Sequence, residues 1–183
     1  MAIDIGHHIA WRWQGIKSCC WLNCIEMLMQ LKHGSIFGRE VIRNGQIVTY
    51  GAVRTAHSAD AIAAKTANKG SHIGLHAAFY NLESNPALAD GDITAWENAL
   101  RRGPVLAEGK YGWSRIGAGM HVIVIAGVSR KKQLAFYNPN VHAVLPHPVD
   151  KISYFSLARC KELARTDNNF GGGPFWQVKE DIR

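Results

Sequence analysis

The residues of this chain best suited to chemistry by type and order are a cysteine at a helix start, a histidine opening an apolar strand and an asparagine closing the next strand. After Cys20, the residues Trp21, Cys24, Ile25, Leu28 and Leu31 recur at steps of three and four, the period of an amphipathic helix. Asn23, Glu26 and Gln30 fall on its other side. Ser18 is placed to cap this helix and Gly34 to stop it, which puts Cys20 in the first turn. A thiol there sits beside unsatisfied backbone N–H groups and the positive end of the helix dipole. Both favour the thiolate, which is the nucleophilic form. The side-chain amide of Gln14, in the loop just before, can donate a hydrogen bond. With the Cys20 N–H it would form an oxyanion hole for a carbonyl under attack.

A cysteine nucleophile needs an imidazole beside it, and the imidazole needs a partner that fixes its orientation. His121 opens the most buried-looking run of the chain, His121 to Val128, and follows the loop Gly117-Ala118-Gly119. Ser129 to Lys132 is a turn and Gln133 to Tyr137 the returning strand. Asn138 ends that strand, so an antiparallel pair brings His121 and Asn138 to one sheet edge. Asn140 is the alternative third member.

These residues resemble the signature of papain-like cysteine peptidases: Gln14-Gly15, four intervening residues, then Cys20-Trp21, and later Gly119-Met120-His121 leading an apolar strand to Gly127-Val128. The resemblance implies Cys20 as nucleophile, His121 as base, Asn138 as the orienting residue and Gln14 in the oxyanion hole, with no metal or organic cofactor. Cys19 stands before the nucleophile where a small residue is usual, and Trp21 favours Cys20 over it. Tyr137-Asn138-Pro139-Asn140 and the short length are similar to the compact bacterial branch, which includes bacteriocin-processing peptidase domains and injected effectors. That branch often carries Asp as third member, which keeps Asn140 open beside Asn138. The motifs cover residues 14–21 and 119–140, and residues 35–100 agree only in general character.

The elements around these motifs predict an α+β fold: a helical part of about 14–100 that carries the cysteine helix, packed on an antiparallel sheet of about 103–183 that carries His and Asn, all within one domain, 1–183. Residues 1–17 read as an irregular arm. Ile47 to Tyr50 reads as a strand after an Asn44-Gly45 turn, and Ala59 to Ala67 as a helix. Gly74 to Tyr80 fits either helix or strand. Asp92 to Leu100 is a helix with Ile93, Trp96 and Leu100 on one face. Val105 to Glu108 is a short strand. Residues 152–164 hold a strand and then a helix, and Phe175 to Val178 follow a Gly171–Gly173 break.

The chain has 183 residues, of which 47% are hydrophobic and 19% charged, the composition of a globular protein. No apolar run reaches the roughly 18 residues needed to span a bilayer, and no secretory signal opens the sequence. The net charge is +7, without a long basic run, so nucleic acid is a rival partner rather than the expected one. Cys24 and Cys160 read as small core residues. No Cys-x-x-Cys pair or second cluster points to zinc. His7, His8, His142 and His147 read as surface loop residues, while Trp11 and Trp13 suit either a cleft wall or packing against the helix. The expected activity is thiol peptidase action on a protein substrate. By the resemblance, the enzyme would be a bacterial toxin or effector, delivered by a secretion system, restrained by an immunity protein, and able to cut after a Gly-Gly pair. The alternatives are an amidase, deamidase or transglutaminase on the same scaffold, a housekeeping peptidase that matures exported peptides, and a basic nucleic-acid-binding module.

Overall fold

The computed structural model describes residues 3–7, 9, 20–33, 40–43, 46–49, 73–77, 80–110, 120–139, 152–164 and 175–179. In chain order the elements are β1 (Ile3–Gly6), α1 (Cys20–His33), β2 (Glu40–Arg43), β3 (Gln46–Thr49), α2 (Ile73–His76), β4 (Leu82–Ser84), α3 (Ala87–Asp90), α4 (Ile93–Arg102), β5 (Val105–Lys110), β6 (Met120–Ser129), β7 (Leu134–Tyr137), β8 (Ile152–Phe155), α5 (Leu157–Leu163) and β9 (Phe175–Val178). The architecture is α+β, with helices packed on an antiparallel sheet. Six strands run β4-β9-β5-β6-β7-β8, and β1 pairs with β6. β2 and β3 form a separate antiparallel pair.

β6 is the spine of the sheet. Residues 121–129 are all buried, because helices cover both faces, and this is why the sequence there is continuously apolar rather than alternating. Val122, Val124 and Ala126, with Leu106, Tyr137 and Trp176, pack with α1 residues in one core. Ile123 and Ile125, with Val105, Ala107, Leu134, Phe136 and Phe175, pack with Trp96, Leu100 and Cys160 in the other. Trp96 meets the edge of Phe175 at 4.9 Å between ring centroids.

Local chemistry sets the element ends. Asp92 caps α4, its Oδ1 accepting the Ala95 N–H at 2.9 Å, and Ser156 caps α5 by accepting from the Arg159 N–H at 3.2 Å. Each satisfies a backbone donor that a helix start leaves open. Gln177, in β9, donates from Nε2 to the carbonyls of Ala99 and Gly103, both at 2.7 Å, and so ties the end of α4 to the sheet. The β6–β7 turn closes through Ser129 N–H to the Gln133 carbonyl at 2.8 Å, with Lys132 left-handed at φ 56°.

Two strands lie outside the expected 103–183 sheet. The arm expected to be irregular contains β1, whose Gly6 pairs with Gly127 and Ile5 with Val128. β4 closes the opposite edge by pairing with β9. β1 has four residues, including Asp4 and Gly6, and β4 has three. Segments this short carry no readable alternation, and the neighbouring strand supplies what holds them. Of Gly74–Tyr80, which fits either helix or strand, Gly74–His76 belong to the single turn α2, and β3 falls where the strand after Asn44-Gly45 is expected. The Ala59–Ala67 helix and the Gly171–Gly173 break lie outside the described residues. Among the described residues no helix is long and apolar enough to cross a membrane.

Candidate active site

Cys20 is the first residue of α1 and half-buried. Its backbone N–H lies at the N-terminal, positive end of the helix dipole. Residues 21–28 are all buried, so the first two turns are enclosed on every side. This corrects the amphipathic reading: Asn23 and Glu26, expected on the outer side, are 2% and 1% exposed. The periodicity marks the stripe that meets the sheet, but it cannot show that other chain covers the remaining faces.

One contact registers α1 on the sheet. The Cys24 thiol donates to the Val122 carbonyl at 3.3 Å. Cys24 is fully buried, and burial raises its pKa well above the usual thiol value, with Cys20 nearby adding in the same direction. It is a core thiol, as is Cys160, whose pKa burial also raises. Cys20 lies one turn toward the N-terminus from Cys24, about 6 Å along the axis, and Val122 follows His121 directly. The start of α1 and the start of β6 therefore lie side by side.

His121 and Asn138 meet. The ring Nε2 lies 2.8 Å from the Asn138 Oδ1, with His121 2% and Asn138 5% exposed. The register accounts for it. Val124 pairs with Tyr137, so Asn138 continues β7 opposite Ile123, and His121 is the diagonal neighbour on the same face. An amide oxygen only accepts, so Nε2 carries the proton and donates it. Nδ1 of the neutral ring is then left as the acceptor. Burial lowers the His121 pKa, and the bond to Asn138 raises it by a smaller amount.

Val122 and Val124 face α1, while Ile123 and Ile125 face α4. Alternation puts His121 in phase with Ile123. The imidazole can thus reach a sulfur on α1 only around the rim, where β6 begins, and not across the face of the sheet. The Ile9 N–H donates to the Tyr137 hydroxyl at 3.1 Å, which ties Ile9 to the residue just before Asn138.

Gln14, Cys19 and the alternative third member Asn140 lie outside the described residues, as do Ser18, the Gly117–Gly119 loop, Trp11, Trp13, His8, His142 and His147. His7 is not a free loop residue. It is half-buried just after β1, its ring Nε2 3.1 Å from the Leu100 carbonyl. Glu108, which in sequence only ends a short strand, is a carboxyl 1% exposed in β5. The signal in the sequence is a lone acidic residue directly after the apolar run Val105-Leu106-Ala107. Among the described residues no three His, Cys, Asp or Glu side chains are grouped to hold a metal ion. No protein-family model and no curated protein matches this chain.

Proposed function

We propose that the chain is a papain-like thiol peptidase with Cys20 as nucleophile, His121 as base and Asn138 as the residue that orients the ring. The observation that carries this reading is the buried His121–Asn138 bond, which leaves Nδ1 as the proton acceptor at the strand start beside which the cysteine helix is packed. In the mechanism, His121 Nδ1 takes the Cys20 proton as Sγ attacks a peptide carbonyl. The carbonyl oxygen becomes an oxyanion held by the Cys20 N–H and the Gln14 amide. Collapse breaks the C–N bond, the amine leaves with the proton from His121, and a thioester remains. Water, deprotonated by His121, attacks the thioester and releases the acid and the free thiol. The chemistry asks for no metal or cofactor.

The substrate is a protein. By analogy with the compact bacterial branch, the enzyme acts as an effector in a recipient cell, is held in check in its producer by an immunity protein, and cuts after a Gly-Gly pair. The test is incubation of wild type and Cys20→Ala with recipient-cell lysate, followed by sequencing of new N-termini. New termini with wild type alone are expected. Equal cleavage by both proteins would remove Cys20 from the mechanism. A one-dalton gain without new termini would assign deamidation.

A further inference from the structure

The His121–Asn138 bond depends on an irregular step in the sheet. Val128 pairs with Leu134 and Gly127 with Ala135, but Ile125 pairs with Phe136 and Val124 with Tyr137. Between these pairs β6 advances by two residues while β7 advances by one, so Ala126 has no residue opposite it on β7, which is a β-bulge. Side-chain packing records the same step. Ile125 and Val128 lie in one core, and Val124 and Ala126 in the other. Strict alternation would put Val128 with Val124 and Ala126.

The bulge decides which residues meet. With it, Asn138 continues β7 opposite Ile123 and shares a face with His121. Without it, the pairing carried on from Val128 and Leu134 would set Asn138 opposite Val124, one residue further from His121 and on the face that meets α1. A slip of one residue exchanges the two faces of a strand. The 2.8 Å bond from His121 Nε2 to Asn138 Oδ1 therefore belongs to the bulged register.

The start of the chain is fastened at this bulge. Gly6 pairs with Gly127, so closely that a Cβ on Gly6 would lie 2.1 Å from the Ala126 carbonyl oxygen. The same carbonyl accepts the His7 N–H at 2.8 Å. The buried Ile9 donates to the Tyr137 hydroxyl. One short stretch thus holds the bulged residue of β6 and, on β7, the residue just before Asn138. The His7 ring, against the Leu100 carbonyl, fastens the stretch to α4 as well.

We propose that Gly6, His7 and Ile9 form a register clamp, a positioning element that keeps Asn138 on His121 by holding the Ala126 bulge. Its catalytic meaning rests on the peptidase reading. The start of β6 is paired with β5 independently of the clamp, so loss of the clamp leaves His121 in place and lets β7 slip.

The test is the exchange of the His121 Nε2 proton with water, followed by NMR on protein labelled with 15N-histidine and assigned by its absence from His121→Gln. In Gly6→Ala this proton should exchange at least about tenfold faster, with amide protection in β5 and at the start of β6 unchanged. Tyr137→Phe, which removes only the acceptor for Ile9, should speed it about fivefold, the share of one hydrogen bond. An unmoved Nε2 proton in a folded Gly6→Ala protein would overturn the proposal, as would faster exchange shared equally by the β5 and β6 amides. Should Gly6→Ala fail to fold, Tyr137→Phe decides on the same proton: faster exchange supports the clamp and wild-type exchange overturns it. A wild type without Cys20-dependent cleavage would bring down the peptidase reading and the catalytic meaning of the clamp. Cys20-dependent cleavage with an unmoved Nε2 proton in the variants would bring down this inference alone.

Discussion

His121 Nε2 donates to Asn138 Oδ1 at 2.8 Å, across 17 residues of chain and inside the protein, where both side chains are closed to solvent. A histidine held this way has one nitrogen occupied and its tautomer fixed. The bond needs the β6–β7 turn, the strand register and the end of β7 at Asn138, so a small change in any of them would misplace it.

Asn138→Ala should leave substrate binding near wild type and lower kcat about 100-fold, because the ring loses its fixed tautomer. It should also cost about 1–3 kcal/mol of stability, since the buried Nε2–H is left without its acceptor. Asn138→Asp keeps an acceptor and should restore most of kcat. Steady-state kinetics with denaturant melts of the three proteins checks this. An alanine variant with full kcat would pass the role to another residue, Asn140 first.

Stability should fall as the solution is acidified, in part through His121. Burial holds its folded-state pKa below the unfolded value, so the unfolded chain binds the proton first. The contribution is whole above the ordinary histidine pKa of about 6.5 and is lost as pH drops below it. In urea melts between pH 7.5 and 5, His121→Gln should show a shallower loss than wild type. Parallel curves for the two proteins would exclude His121 as a source.

Cys24 is the thiol that should not react. Cys24→Ala removes a buried sulfur and its bond to the Val122 carbonyl, so stability should drop by about 1–2 kcal/mol with cleavage retained. Cys160, fully buried in α5, should take up alkylating reagent only on unfolding. Peptide mapping of alkylated native protein checks both. Labelling of Cys24 ahead of Cys20 would contradict the assignment of the nucleophile.

Gly6 is where β1 is sensitive to substitution. Its φ is +139°, and a Cβ there would sit 2.1 Å from the Ala126 carbonyl oxygen. Gly6→Ala should detach β1 from β6 and cost about 1–3 kcal/mol, leaving the His121 end of β6 in place. Hydrogen exchange should show lost protection at the His7 N–H, which donates to the Ala126 carbonyl at 2.8 Å, with unchanged protection at β5 and the start of β6.

What could be read from the sequence follows the strength of each local signal. The Cys20 helix, the 93–102 helix, the β6–β7 hairpin and the strand–helix pair at 152–164 were legible because long periodic runs with caps and turns record their structure locally. β1 and β4 were not, since their pairing partners are far away in sequence. The His121–Asn138 contact was foreseen from a hairpin register, a geometric rule that needs only two strand ends. The burial of Asn23, Glu26 and Glu108 was not, because a polar residue gives no sign of being enclosed until tertiary packing is known. The phase of His121, opposite to the α1 face, was equally hidden, and it moves the proposed meeting of sulfur and imidazole to the rim of the sheet.

That meeting is open to direct measurement with a 1,3-dihaloacetone, whose three-carbon bridge joins a thiol and an imidazole only when they are neighbours. Treated native protein, digested and sequenced by mass spectrometry, should yield one dominant cross-link, Cys20 to His121, which is lost in Cys20→Ala and in His121→Ala. Cys20 alkylated at one end with no bridge to His121, or bridged to a different residue, would contradict the account.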